Sequence, residues 1–239
     1  MDQATGSRRN DQRRYPVRPT PFPHRRHMMI LWESLSAIGD SRALLPLAFV
    51  LALFVPPTHR RLLWRWAVAI AVVASATLAS KIAFMGWGLG VESLDFTGIS
   101  GHAAMSSTLY PVIFWLLASG RSPRPWAWAI AGAALAVAIA WSRVPLGAHS
   151  LSEIIVGLGL GITASACVLR GAQMPAGMVA ARIHVALLAI VAGATVPILM
   201  ADLHTHDMVK ATAKALSGRE RALERDDLRS YSSPIKRHQ

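Results

Sequence analysis

Long apolar runs, separated by short stretches that hold charged residues, proline or glycine, occupy most of the chain between residues 43 and 201. A helix needs about 20 residues to cross the roughly 30 Å hydrocarbon core of a bilayer, and the runs approach that length with their flanks included. A segment inside a bilayer must satisfy its own backbone hydrogen bonds, so each run is expected to be helical. The sequence therefore predicts an all-α integral membrane bundle of six transmembrane helices. The predicted spans are residues 43–55, 66–85, 102–118, 126–141, 149–169 and 183–201.

The amino-acid composition supports a membrane protein with one folded domain. Hydrophobic residues make up 53% of the 239 residues and charged residues only 16%, which is too apolar for most soluble domains. The predicted spans and their turns fill one domain, residues 28–201. It begins with a predicted interfacial helix at 28–39, because this stretch is too short to span and is interrupted by a charge. The Arg- and Pro-rich residues 1–27 are expected to be disordered, and residues 202–239 to form a polar tail that can hold a short surface helix at 210–227.

The net charge of +12 does not indicate a nucleic-acid-binding protein. The arginines flank the apolar runs, a distribution that fits anionic lipid headgroups and positively charged cytoplasmic loops. Membrane lipids are therefore the expected partners, and the oligomeric state is left open. Cys167 is the single cysteine, which excludes an intrachain disulfide. Asp202, His204, His206 and Asp207 can be combined into a metal site on paper, but a solvated tail explains them better, so no metal or other cofactor is expected.

The predicted topology gathers polar residues that lie far apart in the sequence. Six spans in alternating direction place the end of the second, the start of the third, the end of the fourth and the start of the fifth on one face of the membrane. These ends carry Lys81, the tripeptide Ser100-Gly101-His102, Arg143 and His149. The sequence therefore predicts a polar pocket at one edge of the membrane.

Each of these residues has a chemical role and an ordinary structural alternative. Ser100 stands at a helix start, where it can bind an anion beside free N–H groups or simply cap the helix. Arg143 and Lys81 can hold phosphate oxygens or can snorkel from span ends to the headgroups. His149 can act as a nucleophile or can hydrogen-bond a carbonyl. Glu153, four residues after His149 on the same helix face, can orient the imidazole.

In this order, Lys81, Ser100-Gly101-His102 and Ser142-Arg143 followed by His149 resemble the motifs of the type 2 phosphatidic acid phosphatase (PAP2) superfamily, which includes glucose-6-phosphatases and vanadium haloperoxidases. The resemblance implies that His149 is the nucleophile that forms a phosphohistidine, and that His102 protonates the leaving oxygen. It also implies that the phosphoryl oxygens are held, without a metal, by Lys81, Ser100, Gly101 and Arg143. This agrees with the residue chemistry, since fixed positive charge and N–H donors stabilise the transition state of phosphoryl transfer.

Two positions depart from the family's motifs. The Arg-Pro pair that follows the motif lysine would fall at Gly88 and Leu89, so one phosphate-binding arginine is missing. The carboxylate after the nucleophilic histidine is usually aspartate, and here it is Glu153, the third member of the predicted catalytic set with His149 and His102.

The resemblance predicts a membrane phosphatase that hydrolyses a lipid phosphate or pyrophosphate. The missing arginine keeps open an alternative from another class, a non-catalytic lipid-phosphate binding or transport protein on the same fold. A haloperoxidase is disfavoured because that chemistry usually belongs to soluble relatives.

Charges in the short loops predict the orientation. The loops opposite the pocket are rich in arginine, whereas the loops on its side hold Glu92 and Asp95 beside Arg143. An excess of positive charge in cytoplasmic loops places the pocket on the periplasmic side of a bacterial inner membrane. The Arg-rich tail, residues 1–27, argues against this orientation, because with six spans it lies on the same side of the membrane as the pocket. Either the natural chain starts near Met28, or residues 28–40 join a further crossing, or the orientation is reversed. The loop arginines are Arg60, Arg61, Arg65, Arg121, Arg124, Arg170 and Arg182.

Overall fold

The computed structural model of the chain describes residues 23–56, 59–172, 187, 190, 191, 193, 195 and 205–231. In this part of the chain the fold is all-helical, as predicted, and the only strand-like pairing is an isolated bridge between Val91 and Phe96. The helices are α1 (Pro23–Ile38), α2 (Ser41–Leu53), α3 (Arg60–Trp87), α4 (Gly101–Ala118), α5 (Pro125–Ser142), α6 (Leu151–Leu169), α7 (Thr205–Ser217) and α8 (Arg225–Tyr231). A short 3₁₀ turn, Glu92–Leu94, lies in the connection between α3 and α4.

Three helices, α3, α5 and α6, are long and apolar enough to cross a membrane. The residues of α1 from His27 onward and α2 meet at a bend of 42°, and this pair passes the same test if it counts as one span. The described residues thus hold three spans, or up to four, and the predicted count of six is not confirmed. The span predicted at 43–55 is the 13-residue α2, and the span predicted at 183–201 lies mostly outside the described residues.

The N-terminal helix begins earlier than the predicted interfacial helix. α1 starts at Pro23, inside the stretch predicted to be disordered, while residues 1–22 lie outside the described part. α1 packs against α5, and the hydroxyl of Tyr110 in α4 donates a hydrogen bond of 2.7 Å to the carbonyl of Ile38. The end of α1 is therefore attached to the centre of the bundle.

α4, predicted as the third span, forms the centre of the bundle and is enclosed by its neighbours. It packs mainly against α5 and α6 and also contacts α2 and α3, and most of its residues are buried. Its buried hydroxyl groups donate to backbone carbonyls one turn earlier, so they need no partner from another helix. These hydroxyls belong to Ser106, Ser107 and Thr108.

Glycines on α6 allow this helix to approach α4 closely. A Cβ at Gly157 would lie 2.9 Å from the carbonyl oxygen of Ser100, and one at Gly161 would overlap the hydroxyl of Ser107. A Cβ at Gly159 would meet nothing within 4 Å in the described part of the chain. Gly157 and Gly161 therefore form the face of α6 that approaches α4 closely, and Gly159 does not belong to it.

Residues 205–231, called the C-terminal segment below, fold back onto the bundle. α7 packs along α3 with its apolar face buried, and the N–H of Leu223 donates to the carbonyl of Met85 at 2.9 Å. The sequence predicted a polar tail with one short surface helix at 210–227. The structure instead shows two helices that cover one end of the bundle, because α7 is amphipathic and finds an apolar surface on α3.

Candidate active site

A cavity of about 610 Å³ lies at the end of the bundle where α3 and α5 end and α4 and α6 begin. The alternating helix directions bring together residues that are remote in sequence. Four of the predicted site residues line the cavity: Lys81, His102, Arg143 and His149. The C-terminal segment forms another part of the wall, with His206, Lys210, Leu223, Glu224 and Arg225.

His149 and Glu153 form a direct pair at the start of α6. Nδ1 of His149 lies 2.6 Å from Oε2 of Glu153, so the carboxylate binds one ring nitrogen and leaves Nε2 for other chemistry. Burial lowers the pKa of His149 below its usual value of 6.5, against the hydrogen bond and charge of Glu153. The imidazole is therefore neutral near pH 7, the state in which Nε2 has a free lone pair.

Glu153 is fully buried, and several donors hold its carboxylate. Oε1 accepts from the backbone N–H of Thr97 at 2.8 Å and from the hydroxyl of Thr97 at 2.6 Å. Oε2 accepts from the N–H of Ser150 at 3.2 Å, which forms a capping box with the Ser150 hydroxyl at the start of α6. Glu153 thus orients a histidine, as the sequence suggested, and also caps α6, which was not predicted from sequence. Its extra methylene relative to aspartate does not prevent contact with His149.

Ser100 and Gly101 do not line the cavity. Ser100 is fully buried and caps α4, since its hydroxyl accepts from the N–H of Ala103 at 3.5 Å. Its own N–H donates to the backbone carbonyl of Glu153 at 3.2 Å, which ties the start of α4 to the start of α6. The side chain of Ser100 has the ordinary capping role, and the contact of Ser100 and Gly101 with phosphate stays a prediction.

Within the described part of the chain, the groups that face the cavity from α3 and α4 are not paired with other side chains. Neither the amine of Lys81 nor the ring of His102 has a hydrogen-bond or ion-pair partner among the residues that the structure describes. Gly98, in the loop before α4, has a φ of 148° and lies against Lys81. A Cβ at Gly98 would be 3.2 Å from Cγ of that lysine, so a larger residue would crowd it. Charged and polar donors that remain unpaired in a cavity favour an anionic ligand.

Arg143 is held by a residue of α1, a contact that the sequence did not predict. Nη1 of Arg143 donates to the hydroxyl of Ser36 in α1, and its Nε is buried without a partner in the described part of the chain. The guanidinium is therefore oriented by a contact with α1, and Arg143 is one of the residues that line the cavity.

The structure shows why the family's missing arginine is not replaced locally. Gly88 ends α3 in the left-handed conformation with a φ of 75°, and a Cβ there would lie 3.2 Å from Cδ1 of Leu223. Leu89 is 67% exposed. At these two positions the chain therefore turns away from the cavity. The further cations that line the cavity, Lys210 and Arg225, come from the C-terminal segment.

Several residues that contact the site were missed from sequence. Thr97 lies three residues before the Ser-Gly-His tripeptide. A hydroxyl so close to a motif could have indicated, from sequence, that Thr97 belongs to a loop of the site. Ser36, His206, Lys210 and Arg225 had no such signal, because nothing in their local sequence indicates that α1 and the C-terminal segment pack beside the cavity. His206 was predicted to be part of a solvated tail, but it lines the cavity, and burial lowers its pKa.

The described residues contain no group of three or more His, Cys, Asp or Glu side chains placed to hold a metal ion. Of the four residues considered for a metal from sequence, Asp202 and His204 lie outside the described part, and His206 and Asp207 belong to α7.

The fold and the site together define the class of protein: it is a membrane-type helical bundle with a cationic, histidine-bearing cavity at one end. The chain belongs to the PAP2 superfamily, whose profile matches residues 41–175, more than half of the chain. This confirms the family resemblance drawn from Lys81, the Ser-Gly-His tripeptide, Arg143 and His149. Membership supports a phosphatase-type function, and with the apolar helices it indicates a membrane protein.

One curated relative is an uncharacterized 22.5 kDa protein in the cps region of Klebsiella pneumoniae, with 41% identity over 138 residues. The match covers 56% of this chain and 66% of that protein, slightly less than two thirds of its length. No solved structure matches the chain.

Proposed function

We propose that the protein is a membrane phosphatase that hydrolyses a lipid phosphate or pyrophosphate through a phosphohistidine intermediate. The observation that supports this most directly is the His149–Glu153 pair, 2.6 Å apart, whose histidine lines a cavity together with Lys81, His102 and Arg143. A nucleophile oriented by a carboxylate and surrounded by fixed positive charge is suited to attack on phosphorus.

In the first step Nε2 of His149 attacks the phosphorus atom, and the bond from phosphorus to the leaving oxygen breaks. With the anionic substrate bound beside it, His102 carries a proton and donates it to that oxygen, so the first product leaves as a neutral alcohol or as a protonated phosphate group. Lys81 and Arg143 stabilise the negative charge of the equatorial oxygens.

In the second step neutral His102 accepts a proton from water, and the resulting hydroxide attacks the phosphohistidine. The bond between Nε2 and phosphorus breaks, inorganic phosphate leaves, and both histidines return to their starting states. The carboxylate of Glu153 holds Nδ1 of His149 throughout, which keeps Nε2 directed at the phosphorus.

A lipid is the proposed substrate because the cavity lies at the end of apolar helices and has apolar as well as polar walls. Phe84, Met85 and Leu223 line it beside the cations. A phosphate head can enter this cavity while its acyl or prenyl tail stays in the bilayer.

We also propose that the cavity faces the periplasm of a bacterial inner membrane. Arg65, Arg121 and Arg170 lie at helix ends or in turns at the opposite end of the bundle, which supports a cytoplasmic location for that end. Reporter fusions after Ser122 and Gln173 are expected to be cytoplasmic. An external signal from both fusions would reverse the assignment.

The decisive test of the activity is release of inorganic phosphate by purified protein from phosphatidate, phosphatidylglycerophosphate, undecaprenyl pyrophosphate and a lipid A phosphate. His149→Ala is expected to lower turnover on the order of 10³-fold or more, because the covalent path is removed. His27→Ala is the matched control, since this histidine lies in α1 and does not line the cavity. Turnover retained by the His149 variant would remove the nucleophile assignment.

The second candidate is a lipid-phosphate binding or transport protein on the same fold. It is favoured by the absence of the family's arginine at Gly88. A wild-type protein that binds members of the same lipid panel but releases no phosphate from any of them would support it.

A further inference from the structure

We propose that the C-terminal segment completes the active site and that Arg225 is a positioning residue, which holds His149 in its reactive state through Glu153. The proposal rests on the function given above for His149. It assigns a role to a part of the chain that carries none of the family's motifs.

Arg225 links three elements of the site. Its Nη2 donates to Oε2 of Glu153 at 2.8 Å, and its Nη1 donates to Oδ2 of Asp95 at 2.7 Å and to the backbone carbonyl of Asp95 at 2.9 Å. Nη2 also lies 3.4 Å from the hydroxyl of Thr97, which itself binds Glu153. One guanidinium thus connects the C-terminal segment to the loop before α4 and to the start of α6.

Arg225 and His149 bind the same carboxylate oxygen. Oε2 of Glu153 lies 2.6 Å from Nδ1 of His149 and 2.8 Å from Nη2 of Arg225. A fully buried carboxylate is stable in its charged form only when it is paired and hydrogen-bonded. Arg225 supplies a permanent positive charge, so Glu153 remains ionised while His149 is neutral. Without Arg225, proton uptake by His149 would be the nearest way to balance the carboxylate, and it would block Nε2.

The C-terminal segment is held in place by contacts other than Arg225. α7 lies so close to α3 that a Cβ at Gly86 would be 3.3 Å from Cβ of Ser217. Lys210 binds Glu224 at 2.8 Å, and Arg221 binds Asp227 at 2.7 Å, which join α7 to the turn and the turn to α8. The position of Arg225 is therefore built by a folded element, and removal of its side chain leaves the other anchors of that element intact.

The test uses ¹⁵N-histidine NMR of the full chain in detergent, with His149 assigned by its loss in His149→Ala. In the wild type we expect a neutral ring with the proton on Nδ1. In Arg225→Gln we expect a larger fraction of His149 to carry protons on both nitrogens at pH 7, because Glu153 has lost its fixed cation. Arg225→Lys restores a charge and should bring the signal back toward that of the wild type. Lys81, His102, Arg143, His206, Lys210 and Glu224 also face the cavity, and they are the same in each of these variants.

Arg221→Gln is the matched control, since this arginine belongs to the same segment but pairs with Asp227 and is 69% exposed on its side chain. It should leave the His149 signal unchanged. An unchanged His149 signal in Arg225→Gln, or the same change in Arg221→Gln, would overturn the proposal.

The NMR signal does not depend on turnover, so it separates this inference from the proposed activity. Absence of phosphate release with a wild-type protein would contradict the phosphatase function alone. Where phosphate is released, Arg225→Gln should lower kcat on the order of 10- to 100-fold, the scale of losses seen when residues that orient a metal ligand are removed, with little change in KM. A loss confined to KM would show that Arg225 binds substrate and does not position His149.

Discussion

Two arginines near opposite ends of the bundle differ in how their donors are used. Arg65, in the second turn of α3, donates to the carbonyl of Arg170 at 2.9 Å and to that of Cys167. It therefore satisfies the free carbonyls at the end of α6, as a cation near a helix C-terminus commonly does. Arg143, just after α5, contacts Ser36 and keeps a buried Nε without a partner in the described part of the chain.

The difference shows that charge alone does not identify the site. Both residues are arginines at the ends of apolar helices, and from sequence both have the same ordinary interpretation of snorkelling to the headgroups. What distinguishes Arg143 is its place in the cavity wall beside Lys81 and His149. The comparison therefore indicates that the cavity end is built for a ligand and the opposite end for stability.

Among the tests of this comparison, the largest effect is expected from changing the two arginines in parallel. Arg143→Lys should lower turnover on the order of 10²-fold, because the planar guanidinium is replaced by a single ammonium that cannot make paired contacts with phosphate oxygens. Arg65→Lys should leave turnover unchanged, since its target is a helix end far from the cavity. Steady-state kinetics on the same lipid substrate measure both. Equal losses in the two variants would remove the distinction between the ends.

A smaller effect, on the stability of the bundle, is expected from a substitution where α6 packs against α4. Gly161→Leu should destabilise the bundle by about 1–3 kcal/mol, because the side chain would be forced into Ser107 of α4. Gly159→Leu, on the same helix, is the control, because a Cβ there meets nothing within 4 Å among the described residues; it should be neutral or slightly stabilising. Thermal unfolding in detergent compares the two. A destabilised Gly159 variant would show that the other face of α6 is also a packing surface.

The smallest effect is expected in the pH dependence of kcat/KM. Burial lowers the pKa of His149, so its neutral, nucleophilic form persists as the pH falls and is lost only when the pH passes below that lowered pKa. The acid limb of kcat/KM is therefore expected below pH 6.5, the usual value for histidine. A pH profile of the wild type measures this limb. A limb above pH 6.5 would mean that the charge of Glu153 outweighs burial at this position.

Much of the cavity was predictable because its residues follow from local pattern and simple topology. Apolar runs define helices, and alternating directions place their ends together, so Lys81, His102, Arg143 and His149 were expected to meet, and they do. The spacing of four residues placed Glu153 on the same face as His149. These inferences need only helix periodicity and chain direction.

Other features depended on contacts that no local pattern encodes. Ser100 satisfies capping and anion binding equally well in sequence, and only the structure shows its hydroxyl turned to Ala103. The predicted number of six spans is not confirmed, since in the described part of the chain α2 is short and joins α1 at a bend. Apolar length alone does not show whether a run crosses by itself.

The sequence by itself determined that this chain is a helical membrane protein of the PAP2 superfamily with a histidine- and cation-bearing pocket, because residue type and helical spacing are properties of short stretches. Tertiary structure alone decided that Ser36 holds Arg143 and that Arg225 shares Glu153 with His149. Arg225 and Glu153 are 72 residues apart and no motif joins them, so their contact exists only because α7 packs on α3 and brings the end of the chain back to the cavity.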